Sequence, residues 1–262
     1  MSTGTEPILL SDIQDGVATI TLNRPKARNA LSIELMTEVE AALTRLAADP
    51  SVKVLILAAN GPAFCAGHDL KQMSGLDGAD AVEAVFTQCS RMMKAIVRFP
   101  RPVIARVHAM ATAAGCQLVA SCDLAYAAET AQFATPGVNI GLFCSTPMVA
   151  LARNVGRKQA MELLLLGKPV DAARAESWGL INRAVAPDQL DATVAEAANT
   201  LAAKSSFTLK LGKEAFYAQA EMGLDEAYVY ATRVMVANMQ AKDAAEGIDA
   251  FLGKRHPVWC GA

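Results

Sequence analysis

The sequence predicts an α/β chain, a β/α core followed by a helical C-terminal third. Three observations carry that expectation. Short runs with strand character alternate with helical runs through the first half. One of them, Val54–Ala59, is apolar throughout, as in a strand covered on both faces. Beyond about residue 145, nearly every segment has helical periodicity.

Taken in order, Ile8–Ile13 and Val17–Leu22 are strand candidates, joined through Gln14-Asp15-Gly16 as a hairpin-like link. Ser32 caps a helix, SIELMTEVEAALTRLAAD, in which Glu34, Glu38 and Glu40 interleave with apolar positions. After Val54–Ala59 comes a Gly/Pro loop, GPAFCAGHDL, and then a helix through about Arg98. Pro102–Val107 reads as a second buried strand, Leu124–Ala127 as another and Gln132–Ala134 as a short one. Helical pieces follow around 146–155, 157–165, 171–177, 188–203, 206–218, 224–241 and 243–253. No repeat, low-complexity tract or clear linker interrupts them. Residues 1–200 are expected as the core and 201–262 as a helical region of one continuous unit.

Composition narrows the function. The chain has 262 residues, 53% of them hydrophobic, which is ample for a large core. The formal net charge of −2, with no long Lys/Arg block, argues against nucleic acid and against an anionic membrane surface as partners. The opening MSTGTEPILL lacks a charged and then apolar leader, and no run has membrane-span length, so a cytoplasmic protein is expected. The cysteines at 65, 89, 116, 122, 144 and 260 contain no C-x-x-C, and the histidines at 68, 108 and 256 are far apart, so no metal site is expected. Most of those cysteines read as small buried hydrophobes, with Cys144 set apart by its loop-like run GLFCSTP. A dinucleotide or P-loop site is poorly supported, given the missing G-x-G-x-x-G and Pro169 after Gly167-Lys168.

Two loops could build a site together. Gly61–Leu70 follows a buried strand and is rich in small residues; Ala111–Gly115 also follows a strand and opens a helix. Helix N-termini present unpaired N–H groups and partial positive charge. Two such loops on neighbouring strands could aim two N–H groups at one point, as in an oxyanion hole. From spacing alone, packing explains the small residues equally well.

The segments NRPKARNALS (23–32), AFCAGHDL (63–70), PVIARVHAMATAAGCQLVASCDL (102–124), QFATPGVNIGL (132–142) and FLGKR (251–255) resemble, in order, the enoyl-CoA hydratase/isomerase family, the crotonases. The likeness runs from about Gly16 to Pro257. It implies a spiral of ββα units, a C-terminal helical trimerisation region, and a homotrimer or dimer of trimers. It implies an acyl-CoA thioester as ligand, with coenzyme A entering as part of the substrate and no separate cofactor. The family's oxyanion donors correspond to the backbone N–H groups of His68 and Ala114, and the His68 side chain is not needed for that role. For the nucleotide end, the resemblance points to Lys26, Ala27, Arg28, Ala66, Asp69, Leu70 and Lys71, and to Phe251 and Lys254 on a helix that in the family often reaches a neighbouring subunit's CoA. Each exposed cation also reads as plain surface charge.

The family's hydratases use two glutamates. Their positions are Gln117, three residues after the helix donor, and Gly137, after the proline of FATPG. An amide has no pKa near working pH and cannot store a proton. Gln117 then either faces the acyl group or satisfies a buried neighbour. Candidates around the vacant second position are Asn139, Cys144, Ser145 and Thr146; a thiol or hydroxyl there could relay a proton or line a smaller acyl pocket. His108 reads as packed and hydrogen-bonded, and Asp123 as a loop tie. The combination HAMATAAGCQLVASCDL with FATPGVNIGLFCSTP resembles one branch of the family that also carries the glutamine. The readings left open are an enzyme nominally of the hydratase/isomerase type, another crotonase reaction such as isomerisation or thioester hydrolysis, and a non-catalytic acyl-CoA-binding protein. Restoring both glutamates is expected to raise hydration if the scaffold still supports it.

Overall fold

The structure, a computed structural model, describes residues 6–262; residues 1–5, which begin the stretch inspected for a leader, lie outside the described residues. β1 (Leu9–Gln14) and β2 (Val17–Leu22) form an antiparallel hairpin closed at Asp15 (φ 51°) and Gly16 (φ 82°). Two successive left-handed residues give a turn whose twist matches that of the strands. Ser32 Oγ accepts the Leu35 N–H at 3.2 Å and starts α1 (Ile33–Ala48), which buries Leu35, Met36, Val39, Leu43 and Leu46. β3 (Val54–Ala59) is buried at every position. The helical run up to Arg98 is two helices, α2 (Leu70–Met73) and α3 (Gly78–Val97), because Gly75 and Gly78 interrupt it, the latter at φ 80°.

β4 (Val103–Val107), the two-residue β5 (Ala111–Thr112), α4 (Ala114–Ser121), β6 (Leu124–Ala128) and β7 (Gln132–Ala134) follow. Then come α5 (Ser145–Leu151), α6 (Arg157–Leu166), β8 (Val170–Asp171), α7 (Ala172–Ser177), β9 (Arg183–Val185) and α8 (Leu190–Ala202). The last elements are α9 (Ser206–Gln219), α10 (Leu224–Met239) and α11 (Lys242–Leu252). The expectation of a nearly all-helical stretch after 145 is thus corrected at two short strands. β8 and β9 are two and three residues long, too short to show a period of two, and only their pairing with β7 and β6 defines them.

The main sheet runs β1-β2-β3-β4-β6-β9, parallel from β2 onward. A second layer, β5-β7-β8, is extended by single bridges pairing Cys65 with Ala111 and Leu31 with His68. Each circuit of the chain therefore adds one long strand to the first sheet, one short extended piece to the second layer, and a helix. This is the ββα spiral that the resemblance implied. One face of the main sheet packs on α1, α3 and α4; the other, through Val54, Ile56, Ala58 and Ile104, packs on Leu190, Val194 and Ala198 of α8.

Asp123 holds α9 to this core. Its carboxylate accepts the Val103 N–H at 2.7 Å, Lys213 Nζ at 2.6 Å and the Tyr217 hydroxyl at 2.9 Å. The loop-tie reading of Asp123 is the one the geometry bears out. Beyond that anchor, α9 and α10 bury no residue fully.

Candidate active site

The site begins with two close approaches of backbone. A Cβ on Gly115 would lie 2.1 Å from the Cys65 carbonyl oxygen, and one on Gly67 would lie 2.8 Å from Ala113 Cβ and 3.3 Å from the Ala114 nitrogen. Gly67 also sits at φ +88°. Only glycine allows the 61–70 loop and the start of α4 to touch in this way. The small residues at both loops are thus a requirement of contact between them.

The direction of the amides follows from the bridge at Leu31. Leu31 N–H donates to Gly67 O at 2.7 Å, and Asp69 N–H donates to Leu31 O at 3.2 Å. His68 is pinned on both sides, so its own N–H points away from Leu31. At the other loop, Ala113 has φ 50° and ψ −118°, a backbone region that side chains disfavour, and its N–H donates to Ala134 O at 2.9 Å. That bond and that turn start α4, all of whose residues are buried. Among the described residues, neither the His68 N–H nor the Ala114 N–H donates a hydrogen bond to the protein.

Unpartnered side-chain atoms gather on the same elements. Gln117 is 4% exposed, and its Oε1 is enclosed without a partner. Thr135, next in the chain after the carbonyl that receives Ala113, is fully buried with Oγ1 unpaired. Both ring nitrogens of His68 are likewise enclosed and unpaired. Leaving a buried polar group unmatched costs about 1–3 kcal/mol. At His108 one nitrogen is met, Nε2 at 2.8 Å from Gly61 O, as in the packed and hydrogen-bonded histidine expected, while Nδ1 is enclosed without a partner.

Around position 137 the chain is closed. A Cβ on Gly137 would meet Leu142 O at 2.6 Å and Cys144 Sγ at 2.9 Å. The segment 142–144 therefore occupies the space that a side chain at 137 would need. The condition attached to restoring both glutamates, that the scaffold still supports hydration, meets an obstacle here, since a side chain at 137 requires segment 142–144 to move. Cys144 is buried, and burial pushes its thiol above the ordinary range, so it is a neutral group. Asn139 donates to Gly167 O at 3.3 Å, beyond the end of α6, and Ser145 is exposed. Of the candidates around the vacant position, Cys144 is the one that meets Gly137. The cysteines at 65, 89, 116, 122 and 144 are all buried, and burial pushes the thiols of Cys65, Cys89 and Cys116 up to about 12, as expected of small hydrophobes.

At the far end of the loops, Arg24 and Asn29 do what sequence reading did not assign to them. Arg24 Nη2 pairs with Asp69 Oδ2 at 3.0 Å, and the guanidinium also donates to Ala30 O. Asn29 is fully buried; it accepts the Arg24 N–H and donates to Asn60 O and Ala63 O, each at 2.8 Å. Ala66 N–H donates to Arg28 O. The segment 24–30 is thereby fixed against 60–69. Asp69, expected near the nucleotide, is committed to Arg24 and to the Gln72 N–H that it caps. Lys26, Arg28 and Lys71 are exposed, with no ion pair among the described residues, and Ala27 and Leu70 lie beside them. Phe251 lies in the last turn of α11 at 83% exposure, and Lys254 two residues beyond the end of that helix.

Comparison with known proteins places this geometry. The pattern described as Enoyl-CoA hydratase/isomerase matches residues 12–262. The chain is a member of the enoyl-CoA hydratase/isomerase family. It is 46% identical over 255 residues to enoyl-CoA hydratase domain-containing protein 3, mitochondrial, of Rattus norvegicus, covering 97% of this chain and 85% of the relative. The Homo sapiens protein of that name is 46% identical over 245 residues, covering 94% and 81%. The branch that the sequence resembled is this one. Among solved structures, an enoyl-CoA hydratase of Mycobacterium smegmatis superposes with a TM-score of 0.95 at 50% identity, covering 97% of this chain and 99% of that one. The human domain-containing protein 3 superposes with a TM-score of 0.94 at 44% identity, covering 97% and 100%. Membership of this family makes the chain an acyl-CoA enzyme by descent. The cytoplasmic expectation does not stand, because the domain-containing protein 3 relatives of Rattus norvegicus and Homo sapiens are mitochondrial by name; the leader argument that supported it concerned the first residues of this chain alone.

Proposed function

We propose that the chain binds an acyl-CoA thioester with its carbonyl oxygen between the His68 and Ala114 N–H groups and stabilises the enolate formed there. The observation carrying this reading is the pair of unengaged backbone donors on two loops that glycines hold in contact. Donors of this kind are each worth ~3 kcal/mol in the transition state. Lys26, Arg28 and Lys71 supply free cations for the CoA phosphates, with Ala66 and Leu70 beside the adenine and pantetheine and Asp69 acting through Arg24. Exposed Tyr228, Met235 and Met239 on α10, together with Phe251, support burial of this face in a homotrimer or dimer of trimers, where Phe251 and Lys254 would meet a neighbouring subunit's CoA.

The chemistry is not efficient hydration. That reaction needs two proton-handling groups, and it finds an amide at 117 and a closed glycine at 137. General acid–base catalysis supplies about 10²–10⁴-fold, so crotonyl-CoA hydration should fall short of a two-glutamate relative by at least the lower figure. Equal turnover by the two purified proteins would refute this. The same two positions favour a second reading, an acyl-CoA-binding protein without catalysis. Butyryl-CoA separates the site from its absence: it should bind more tightly than the S-butyl thioether of CoA, which lacks the carbonyl. Equal affinities would remove the oxyanion site from both readings.

A further inference from the structure

His68 contributes a side chain as well as an amide. Its ring stands edge-on to Phe86 of α3, centroids 5.0 Å apart at 82°. Both nitrogens are enclosed and neither has a partner among the described residues. A neutral imidazole always carries one N–H donor and one acceptor, so this ring leaves both unmet in a place where each is costly. His108 shows the milder case: its Nε2 meets Gly61 O and only its Nδ1 lacks a partner, whereas at His68 both nitrogens do.

We propose that the His68 imidazole is the single proton carrier of this site, removing a proton from the acyl α-carbon while the backbone amide of the same residue and that of Ala114 hold the resulting enolate. The inference rests on the oxyanion reading and goes beyond it. The step balances without any other reactant. The α C–H bond breaks, its electron pair moves into the enolate, and the proton passes to the free ring nitrogen. Return of that proton to the α-carbon gives exchange. When the acyl group has a double bond between its third and fourth carbons, return to the fourth carbon moves the bond into conjugation with the thioester. One base suffices for either outcome, whereas hydration needs two groups. A one-base reaction therefore suits a site that has lost both glutamates.

The ring's state fits the task. Burial alone holds its pKa below the ordinary value, so it is neutral and able to accept a proton near pH 7. Among the described residues no charged group acts on it: Asp69, next in the chain, is paired with Arg24, Lys71 of α2 and Glu83 of α3 are exposed, and Gln117 and Thr135 are uncharged.

The test is α-proton exchange of butyryl-CoA in D2O, followed by NMR with the full-length protein, beside the infrared carbonyl frequency of the bound thioester. Wild type should exchange, and His68→Gln should lose at least 100-fold in rate while keeping the carbonyl shift, since the main chain is unaltered. Imidazole added to His68→Ala should restore part of the rate, which a packing role would not produce. Exchange that survives in His68→Gln overturns the proposal. So does wild type that shifts the carbonyl without exchanging, and that result leaves the oxyanion reading in place. A carbonyl unshifted in both proteins brings down the oxyanion reading itself.

Discussion

The two ends of the acyl site have been treated in opposite ways. At the carbonyl end, a bridge at Leu31, a turn at Ala113 and two glycines in backbone contact hold a pair of amides free and fixed. At the proton end, Gln117 has no titratable group, and segment 142–144 fills the space beside Gly137. The contrast teaches that stabilising an enolate and supplying protons are separable properties of this fold. The first depends on main-chain geometry, which the spiral sets. The second depends on side chains at two positions, which can be lost without disturbing that geometry.

The largest expected effect comes from breaking the carbonyl end. Gly115→Val puts a side chain where even a Cβ would meet the Cys65 carbonyl at 2.1 Å. The backbones must separate, so a stability loss of about 3 kcal/mol is expected in urea denaturation, together with loss of the preference for butyryl-CoA over its thioether. A variant that kept both would show that the two loops need no contact. Next in size is the attempt to rebuild the proton end. Gln117→Glu with Gly137→Glu should destabilise the chain by about 1–3 kcal/mol and leave crotonyl-CoA hydration no higher than in wild type. A clear gain in hydration would show that segment 142–144 moves aside readily.

The smallest effect sharpens the comparison through pH. The folded pKa of His68 lies below its unfolded value of 6.5, because burial disfavours the charged ring. Above that value the ring is neutral in both states and costs no proton. As pH falls through it, the unfolded chain takes up a proton first, so stability declines until the folded pKa is passed. Wild type should therefore lose more stability than His68→Gln between pH 7.5 and pH 5 in urea titrations. Parallel losses would mean that the ring is not desolvated in the folded protein.

Much of this was legible in the residues. The hairpin at Asp15-Gly16, the Ser32 cap and the buried run Val54–Ala59 each carry a local signal, and each became the element expected. The short pieces of the second layer carry none. Ala111–Thr112 and Val170–Asp171 are strands only because of what lies beside them. The same holds at the site. The small residues at 67 and 115 were visible as composition, but the backbone contact that requires them joins segments nearly fifty positions apart. Arg24, Asn29 and Thr135 were equally hidden. An arginine beside a proline gives no hint that it will neutralise Asp69, and a threonine gives none that its hydroxyl will be buried without a partner. The closure over Gly137 was least visible, since it depends on where residues 142–144 fold back.

The central claim is that two main-chain N–H groups converge on one thioester carbonyl. Isotope-edited infrared difference spectroscopy of butyryl-CoA labelled at the carbonyl carbon reads it directly. Two donors on that oxygen weaken the bond, so the bound frequency should drop below that in water for wild type and stay at the solution value for Gly115→Val. A wild-type frequency equal to that of the free ligand, with butyryl-CoA demonstrably bound, would contradict the account.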